Sequence, residues 1–377
     1  MKIAGIIAEY NPFHNGHAYQ IRATREAGAT QIVCVMSGNC VQRGDIAITD
    51  KHFRARTAVK NGADLVIELP MPYSLGTAPD FARAGVNILD RLGCVNMLSF
   101  GSECGDVNKL IFAANAIDSL SDKDIKQKMS EGMTYPSAIA SLVGDDCSEI
   151  LNGANNTLAI EYIRALRGTN IEPFTVKRTS AHDSSEAIGE FTSASHIREL
   201  LLSGDDALRF MPEAIPAQMI SSVKKVEEAI LYRLAMMTKD DFADVPYADG
   251  LEARLYDASR TASTLEALYD SVKTKNITHA RVRRAVMLAA LGVQKSDFCA
   301  IPYARVLAMN DRGAEILALC KKTATIPISA SLAELSKLGD FAARFAVLDE
   351  RSSRLRALAA AEREHLSEFS RKFEIVT

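Results

Sequence analysis

No apolar run in this 377-residue chain approaches the roughly 18 or more residues that cross a membrane as a helix. Its start also lacks the basic stretch and apolar stretch of a secretory signal, so the expectation is a soluble, cytoplasmic protein with no membrane partner. Cys-x-x-Cys is missing too. The seven cysteines, Cys34, Cys40, Cys94, Cys104, Cys147, Cys299 and Cys320, are odd in number and read as buried or free thiols in a reducing compartment. Excess charge of one sign is lacking as well: 44 Lys/Arg against 47 Asp/Glu leave −3, which is no global sign of nucleic-acid binding. Neither an internal repeat nor a long low-complexity segment interrupts the chain.

What is present fits an ordinary globular protein, 47% hydrophobic and 24% charged, and its length exceeds one usual core. Two domains are expected, over residues 1–204 and 205–377. The charge is divided unevenly: residues 251–377 hold 20 Lys/Arg against 15 Asp/Glu, while residues 1–250 hold 24 against 32. Lys273, Lys275, Arg281, Arg283 and Arg284 cluster in the basic part. Such clusters are commonly solvated helix faces, but a phosphate-holding surface has the same look.

The apolar stretch Ile3–Ala8 runs into Asn11-Pro12-Phe13-His14-Asn15-Gly16-His17. Pro12 forces a turn, Gly16 clears space for a ring against the backbone, and Ala18-Tyr19-Gln20 continues with helical character. His14 and His17 then share one face at a helix N-terminus, where free N–H groups favour phosphate and an imidazole can donate to an oxygen gaining charge. Metal ligation is the poorer reading, because no acidic residue or Cys follows at zinc-site spacing; no residue is assigned to a metal.

Further apolar runs, Gln31–Met36, Asp64–Leu69 and Val95–Phe100, alternate with helical stretches. That pattern predicts an α/β domain: a Rossmann-like, doubly wound parallel sheet binding its ligand at the strand C-termini. Functional-looking loops stand at those ends, at 9–17, Ser37–Gly44, Pro70–Tyr73 and Gly101–Glu103. Pro173–Arg178 reads as a fifth strand ending in a cation. Thr192–Arg198 opens a helix with hydroxyls, which are ordinary caps on their own, and closes its first turn with Arg198. From about residue 205 the apolar spacing turns helical, at Val223–Leu234, Thr264–Val272, His279–Leu291 and Phe341–Phe369, so the C-terminal domain is expected to be mostly helical. Ile301–Ala308 and Ala324–Ile328 are short runs that can add strands.

The run Gly5–His17, with Ser37–Gly44, Ala63–Pro70, Phe100–Glu103, Asn155-Asn156, Val176–Arg178, Gly250–Glu252 and Tyr303–Leu307, resembles the bacterial tRNA(Met) cytidine acetate ligases of the nucleotidyltransferase superfamily. The resemblance covers nearly the whole chain. It implies that acetate is activated with ATP as acetyl-adenylate and passed to N4 of the wobble cytidine of elongator tRNA(Met), with ATP and Mg²⁺ as cofactors. It implies an ATP loop of Ile7, Ala8, Glu9, Tyr10, Asn11, Pro12, Phe13, His14, Asn15, Gly16, His17, Ala18, Tyr19 and Gln20, joined by Gly101, Asn155 or Asn156, Arg178 and Arg198. His14, His17, Arg178 and Ser195 are the catalytic candidates. The chain departs from the family pattern at Cys40, where an aromatic is usual, at Ala154, where Pro often stands, and at Ser195, which keeps the hydroxyl of the usual Thr.

Arg281, Arg283 and Arg284 are candidates for contact with tRNA. Asp45, Lys51 and Glu68 are candidates for positioning cytidine, with ordinary salt bridging as the alternative. Two rival functions stand beside the ligase: a small-molecule adenylyltransferase of the same fold, and a non-catalytic ATP- and RNA-binding protein.

Overall fold

The computed structural model describes residues 1–178, 187, 189–363 and 367–377. Among the described residues there are ten strands: β1 (Ile3–Ala8), β2 (Gln31–Ser37), β3 (Cys40–Val41), β4 (Asp45–Ile46), β5 (Leu65–Leu69), β6 (Met97–Ser102), β7 (Glu172–Lys177), β8 (Ala304–Met309), β9 (Ile328–Ser329) and β10 (Glu374–Ile375). The main sheet runs β10-β8-β5-β2-β1-β6-β7, with β9 alongside β8, and β3 and β4 form a separate small hairpin. β1 pairs in parallel with β2 and β6, and β5 with β2 and β7 with β6 are parallel too; β8 lies antiparallel to β5.

Both faces of the sheet are dry, as expected for strands apolar along their length. Ile3, Ile7, Val33, Val35, Leu65 and Ile67 point to one core, while Ala4, Ile6, Ile32, Cys34, Met36 and Val66 point to the other. Helix α1 (Asn15–Glu26) follows β1, α2 (Lys51–Lys60) precedes β5, and α3 (Ala78–Arg91) carries the chain from β5 back across β1 to β6. Because β1 is flanked by β2 on one side and β6 on the other, the connection direction reverses there. The crevice beyond their C-terminal ends is the place where such sheets bind ligands.

A helical excursion, Val107–Ala165, separates β6 from β7, and the helices between Glu227 and Leu291 pack around Ile230, Leu234, Leu255, Leu268, Val282 and Leu288. That second core also takes in Cys40, Ile46, Met71 and Leu75 from the strand-end loops. The region after residue 204 is not purely helical: β8 and β10 return to the first sheet, so a boundary at 204/205 does not coincide with a break in the sheet. The physical reason lies in β8, whose ARVLAM run is buried almost throughout and fills the sheet position beside β5. Of the stretch Phe341–Phe369, the helix covers Asp340–Ala359, and residues 364–366 lie outside the described residues. None of the seven cysteines is in a disulfide, and no described helix is long and apolar enough to cross a membrane.

Candidate nucleotide site

β1 ends in a turn built on Tyr10, whose φ of +48° is unusual for a residue with a side chain. The buried ring holds it there: its hydroxyl lies 3.2 Å from Cys34 Sγ, and its edge meets Phe13 and His17 at centroid distances of 4.9 and 4.8 Å. Asn11 Oδ1 accepts from Ile48 N at 2.7 Å. His14 then caps α1, its Nδ1 accepting from Gly16 N at 3.0 Å while His17 Nδ1 accepts from His14 N at 3.2 Å. With both Nδ1 lone pairs engaged by backbone donors, each neutral ring carries its proton on Nε2. Burial, and then Arg178 and Arg198, lowers the His14 pKa to about 3; burial, His14 and Arg178 push His17 well below the usual range. The two ring centroids lie 3.8 Å apart, with the planes tilted by 30°.

Cations converge on these rings. Arg178 follows β7, its backbone N–H donating to Ser102 O at 2.9 Å, and its Nε is buried with no hydrogen-bond partner among the described residues. Burial lowers its pKa while Glu103 opposes that shift. Ser193 caps the helix Ala194–Ser203, accepting from His196 N. In its first turn Ser195 Oγ accepts from both Arg43 Nη1 and Arg198 Nη2 at 3.1 Å, and Arg198 Nη1 reaches Asn11 O at 2.8 Å. The helix N-terminus, the arginines and the Nε2–H groups thus face a common space and suit an anion of several charges.

That space is an open cleft, adjoined by a smaller recess. Ile7, Ala8, Glu9, Tyr10, Asn11, His14, His17, Gln20, Gly101, Asn155, Arg178, Ser195 and Arg198 line the cleft, and Gly16 and Tyr19 line the recess. Pro12, Phe13, Asn15, Ala18 and Asn156 line neither. Phe13 is core, and Asn15 donates to the backbone oxygens of Glu190 and Arg209. The two adjacent asparagines separate in role. Asn156 is buried and holds the loop after β6, accepting from Glu103 N and Cys104 N and donating to Ile150 O, whereas Asn155 reaches the cleft and donates to Glu103 Oε1 at 2.7 Å.

Gln42, Arg43, Phe81, Phe100 and Tyr162 also line the cleft and were not among the candidates. Gln42 and Arg43 lie in the loop Ser37–Gly44, which position alone marks as functional; Tyr162 comes from the helical excursion, where no motif marks it. Glu9 Oε1 accepts from Gln42 N at 2.6 Å, and burial raises its pKa against Arg198, Arg43 and Arg54.

The other sequence candidates are committed elsewhere. Lys51 and Glu68 form a buried ion pair with Arg305 and Glu368, the salt-bridging alternative. Arg281 donates to Tyr247 O and Asp249 O, and Arg284 Nη1 to Gln42 O, which leaves Arg283, 41% exposed and 3.8 Å from Glu266, as the outward-facing member of the three.

Residues 1–369 match the family model described as HIGH Nucleotidyl Transferase. Among curated proteins, the chain is 35% identical to the tRNA(Met) cytidine acetate ligase of Acetivibrio thermocellus, covering 90% of each chain, and 38% identical to that of Thermoanaerobacter sp. strain X514, covering 87% of this chain and 88% of the other. Among solved structures, Thermotoga maritima TmcAL in its apo form superposes with a TM-score of 0.92 at 26% identity, covering all of both chains. The same protein bound with alpha-thio ATP superposes at 0.90.

Proposed function

The chain belongs to the tRNA(Met) cytidine acetate ligase family of HIGH nucleotidyl transferases, and from that membership we propose that it activates acetate with ATP and acetylates N4 of the wobble cytidine of elongator tRNA(Met). The observation that carries the reading is the pair of neutral imidazoles, His14 and His17, with Nε2–H fixed by the helix cap and Arg178 beside them. Acetate is an anion at neutral pH and needs no base to attack the α-phosphate. The step needs alignment and neutralised charge.

In this reading the two Nε2–H groups donate to phosphate oxygens as pyrophosphate leaves, and Arg178 and Arg198 balance its growing charge. Ser195 and the N-terminus of Ala194–Ser203 hold the β- and γ-phosphates, and Ile7, Ala8, Gln20, Gly101 and Asn155 hold the nucleoside end. Glu9 is the one carboxylate among the described residues lining the cleft, and it already takes a backbone hydrogen bond. A protein carboxylate cage for Mg²⁺ is therefore not what these residues offer; the ion would arrive with the triphosphate and would neutralise part of its charge. Acetyl-adenylate, a mixed anhydride, is the form needed because the cytosine N4 lone pair is delocalised into the ring and attacks weakly.

Arg43 lines the cleft, and the helical region beyond residue 205, with Arg283, remains the candidate tRNA surface. The likeness runs through this half too, which a small-molecule adenylyltransferase would not require. A tRNA substrate also implies a cytoplasmic location. The test is incubation with ATP, Mg²⁺, labelled acetate and unmodified elongator tRNA(Met), followed by nuclease digestion. Label in N4-acetylcytidine at the wobble position supports the reading, and pyrophosphate release with no labelled RNA would move the acceptor elsewhere.

A further inference from the structure

A carboxylate is an odd group to find in this cleft. Two of the three reactants, ATP and acetate, are anions, and Glu9 opposes both electrostatically. Yet its position is well set: the backbone carbonyl accepts from Arg54 Nη1 at 2.6 Å, and Oε1 accepts from Gln42 N at 2.6 Å. Its other oxygen takes no hydrogen bond among the described residues. Glu9 directly follows β1 and lines the same space as His14, His17 and Arg178. The third reactant, the cytosine amine, is neutral and presents two N–H donors. It is the partner a carboxylate suits.

Resting on the acetyl-transfer reading above, we propose that Glu9 receives the N4–H of the bound cytosine and takes its proton as the acetyl group is transferred. The N4 lone pair attacks the acetyl carbonyl carbon, the N4–C bond forms, and the carbonyl carbon–oxygen bond to phosphate breaks, so AMP leaves with that electron pair. The N4 proton moves to the Glu9 carboxylate, and the neutral acid returns it to solvent before the next turnover.

The groups facing Glu9 match the task. The Gln42 N–H, Arg198 on the helix Ala194–Ser203, Arg43 in the turn between β3 and β4 and Arg54 on α2 favour its ionised form, while burial favours the acid; Tyr162, on the helix Ala154–Ala165, feels the same carboxylate. The balance leaves the carboxyl above its ordinary range, closer to working pH than a solvated glutamate.

Separating the two half-reactions tests this. Acetate-dependent ATP–pyrophosphate exchange reads adenylation, and a single-turnover chase of preformed labelled acetyl-adenylate with tRNA(Met) reads transfer. For Glu9→Gln the ratio of transfer to adenylation rates is expected to fall about 100-fold, the scale of a lost general base, with Glu9→Asp recovering part of it. The transfer rate of the unsubstituted protein should rise with pH along an acid limb that Glu9→Gln lacks. Equal losses in both half-reactions, an intact limb in Glu9→Gln, or a raised KM for acetate with normal transfer would each overturn the assignment. A native protein that makes the adenylate but labels no tRNA would instead overturn the acetyl-transfer reading on which it rests.

Discussion

The backbone N–H of His14 donates to Nδ1 of His17 at 3.2 Å, and this bond, made to cap a helix, decides which imidazole nitrogen is left to do chemistry. The cap and the Nε2–H function can be separated by substitution. Asn at position 17 places an acceptor near Nδ1 but has no donor at Nε2; Gln does the reverse. His17→Asn should stay within about 0.5 kcal/mol of native stability while pyrophosphate exchange drops about 10²- to 10³-fold, the scale of one lost transition-state donor. His17→Gln should retain more exchange but lose about 0.5–2 kcal/mol, the scale of a lost cap. Urea melts and exchange assays on the two proteins check the crossover.

Lys51, wholly buried, lies 2.6 Å from Glu68 Oε1 and 3.1 Å from Glu368 Oε2, and Arg305 Nη1 reaches the same two carboxylates at 3.2 and 2.7 Å. These charges tie α2, β5 and β8 to the tail before β10. Removing one member strands the others out of water, so Lys51→Met should destabilise the fold by about 3–5 kcal/mol. The double variant Lys51→Met, Glu68→Leu should cost less than the sum of its singles. Urea unfolding of the four-protein cycle measures the difference.

Some of this architecture is legible in the chain and some is not, for physical reasons. β1, β2, β5 and β6 are apolar along their length because both faces of the sheet are covered, so continuous runs betray them. The Asn11–His17 run is equally plain, since cap, turn and donors are carried by neighbouring residues. What local pattern does not carry is long-range commitment. Arg281 and Arg284 look like a basic surface until the fold brings Tyr247, Asp249 and Gln42 to them. Nor does local spacing tell Asn155 from Asn156, because only the turn at Glu103 decides which faces the cleft. The helical excursion 107–165 shows the same limit: its Tyr162 reaches the site from a helix with no motif.

Acid should weaken the nucleotide-free protein through its two buried histidines. The His14 pKa is lowered to about 3, and His17 is lowered as well. Between pH 6.5 and about 3 the unfolded chain therefore binds more protons at these rings, so stability is full above 6.5 and falls as pH drops, by up to about 1.4 kcal/mol per pH unit for each ring. Asp349 works the other way. Burial, and then Glu68, raises it to about 7, so the folded state binds the extra proton between pH 3.8 and 7 and loses stability as pH rises through that window. Thermal melts across pH 4.5–6.5 should show a shallower positive slope in His14→Gln and a steeper one in Asp349→Asn. Parallel curves for all three proteins would count against both assignments.

Gly44 links the helical region to the cleft by contact alone. Its φ is +79°, and a Cβ there would fall 2.6 Å from both the carbonyl carbon of Arg283 and the nitrogen of Arg284. Neither backbone atom can yield unless the helix His279–Leu291 backs away. Arg284 Nη1 on that helix holds Gln42 O at 3.4 Å, and Gln42 N holds Glu9, so the displacement is passed to the cleft. Gly28 supplies the control: its φ of +99° carries a similar backbone penalty, but no atom of the described residues lies within 4 Å of a Cβ there. Gly28→Ala should cost about 1–3 kcal/mol and leave the kinetics alone. Gly44→Ala adds overpacking of about 1–3 kcal/mol and should also slow acetyl transfer more than pyrophosphate exchange, because Glu9 is the cleft residue at the end of that chain of contacts. If both variants lost stability equally and neither changed the ratio of the two half-reactions, the hairpin and helix would be a packing contact with no hold on the chemistry.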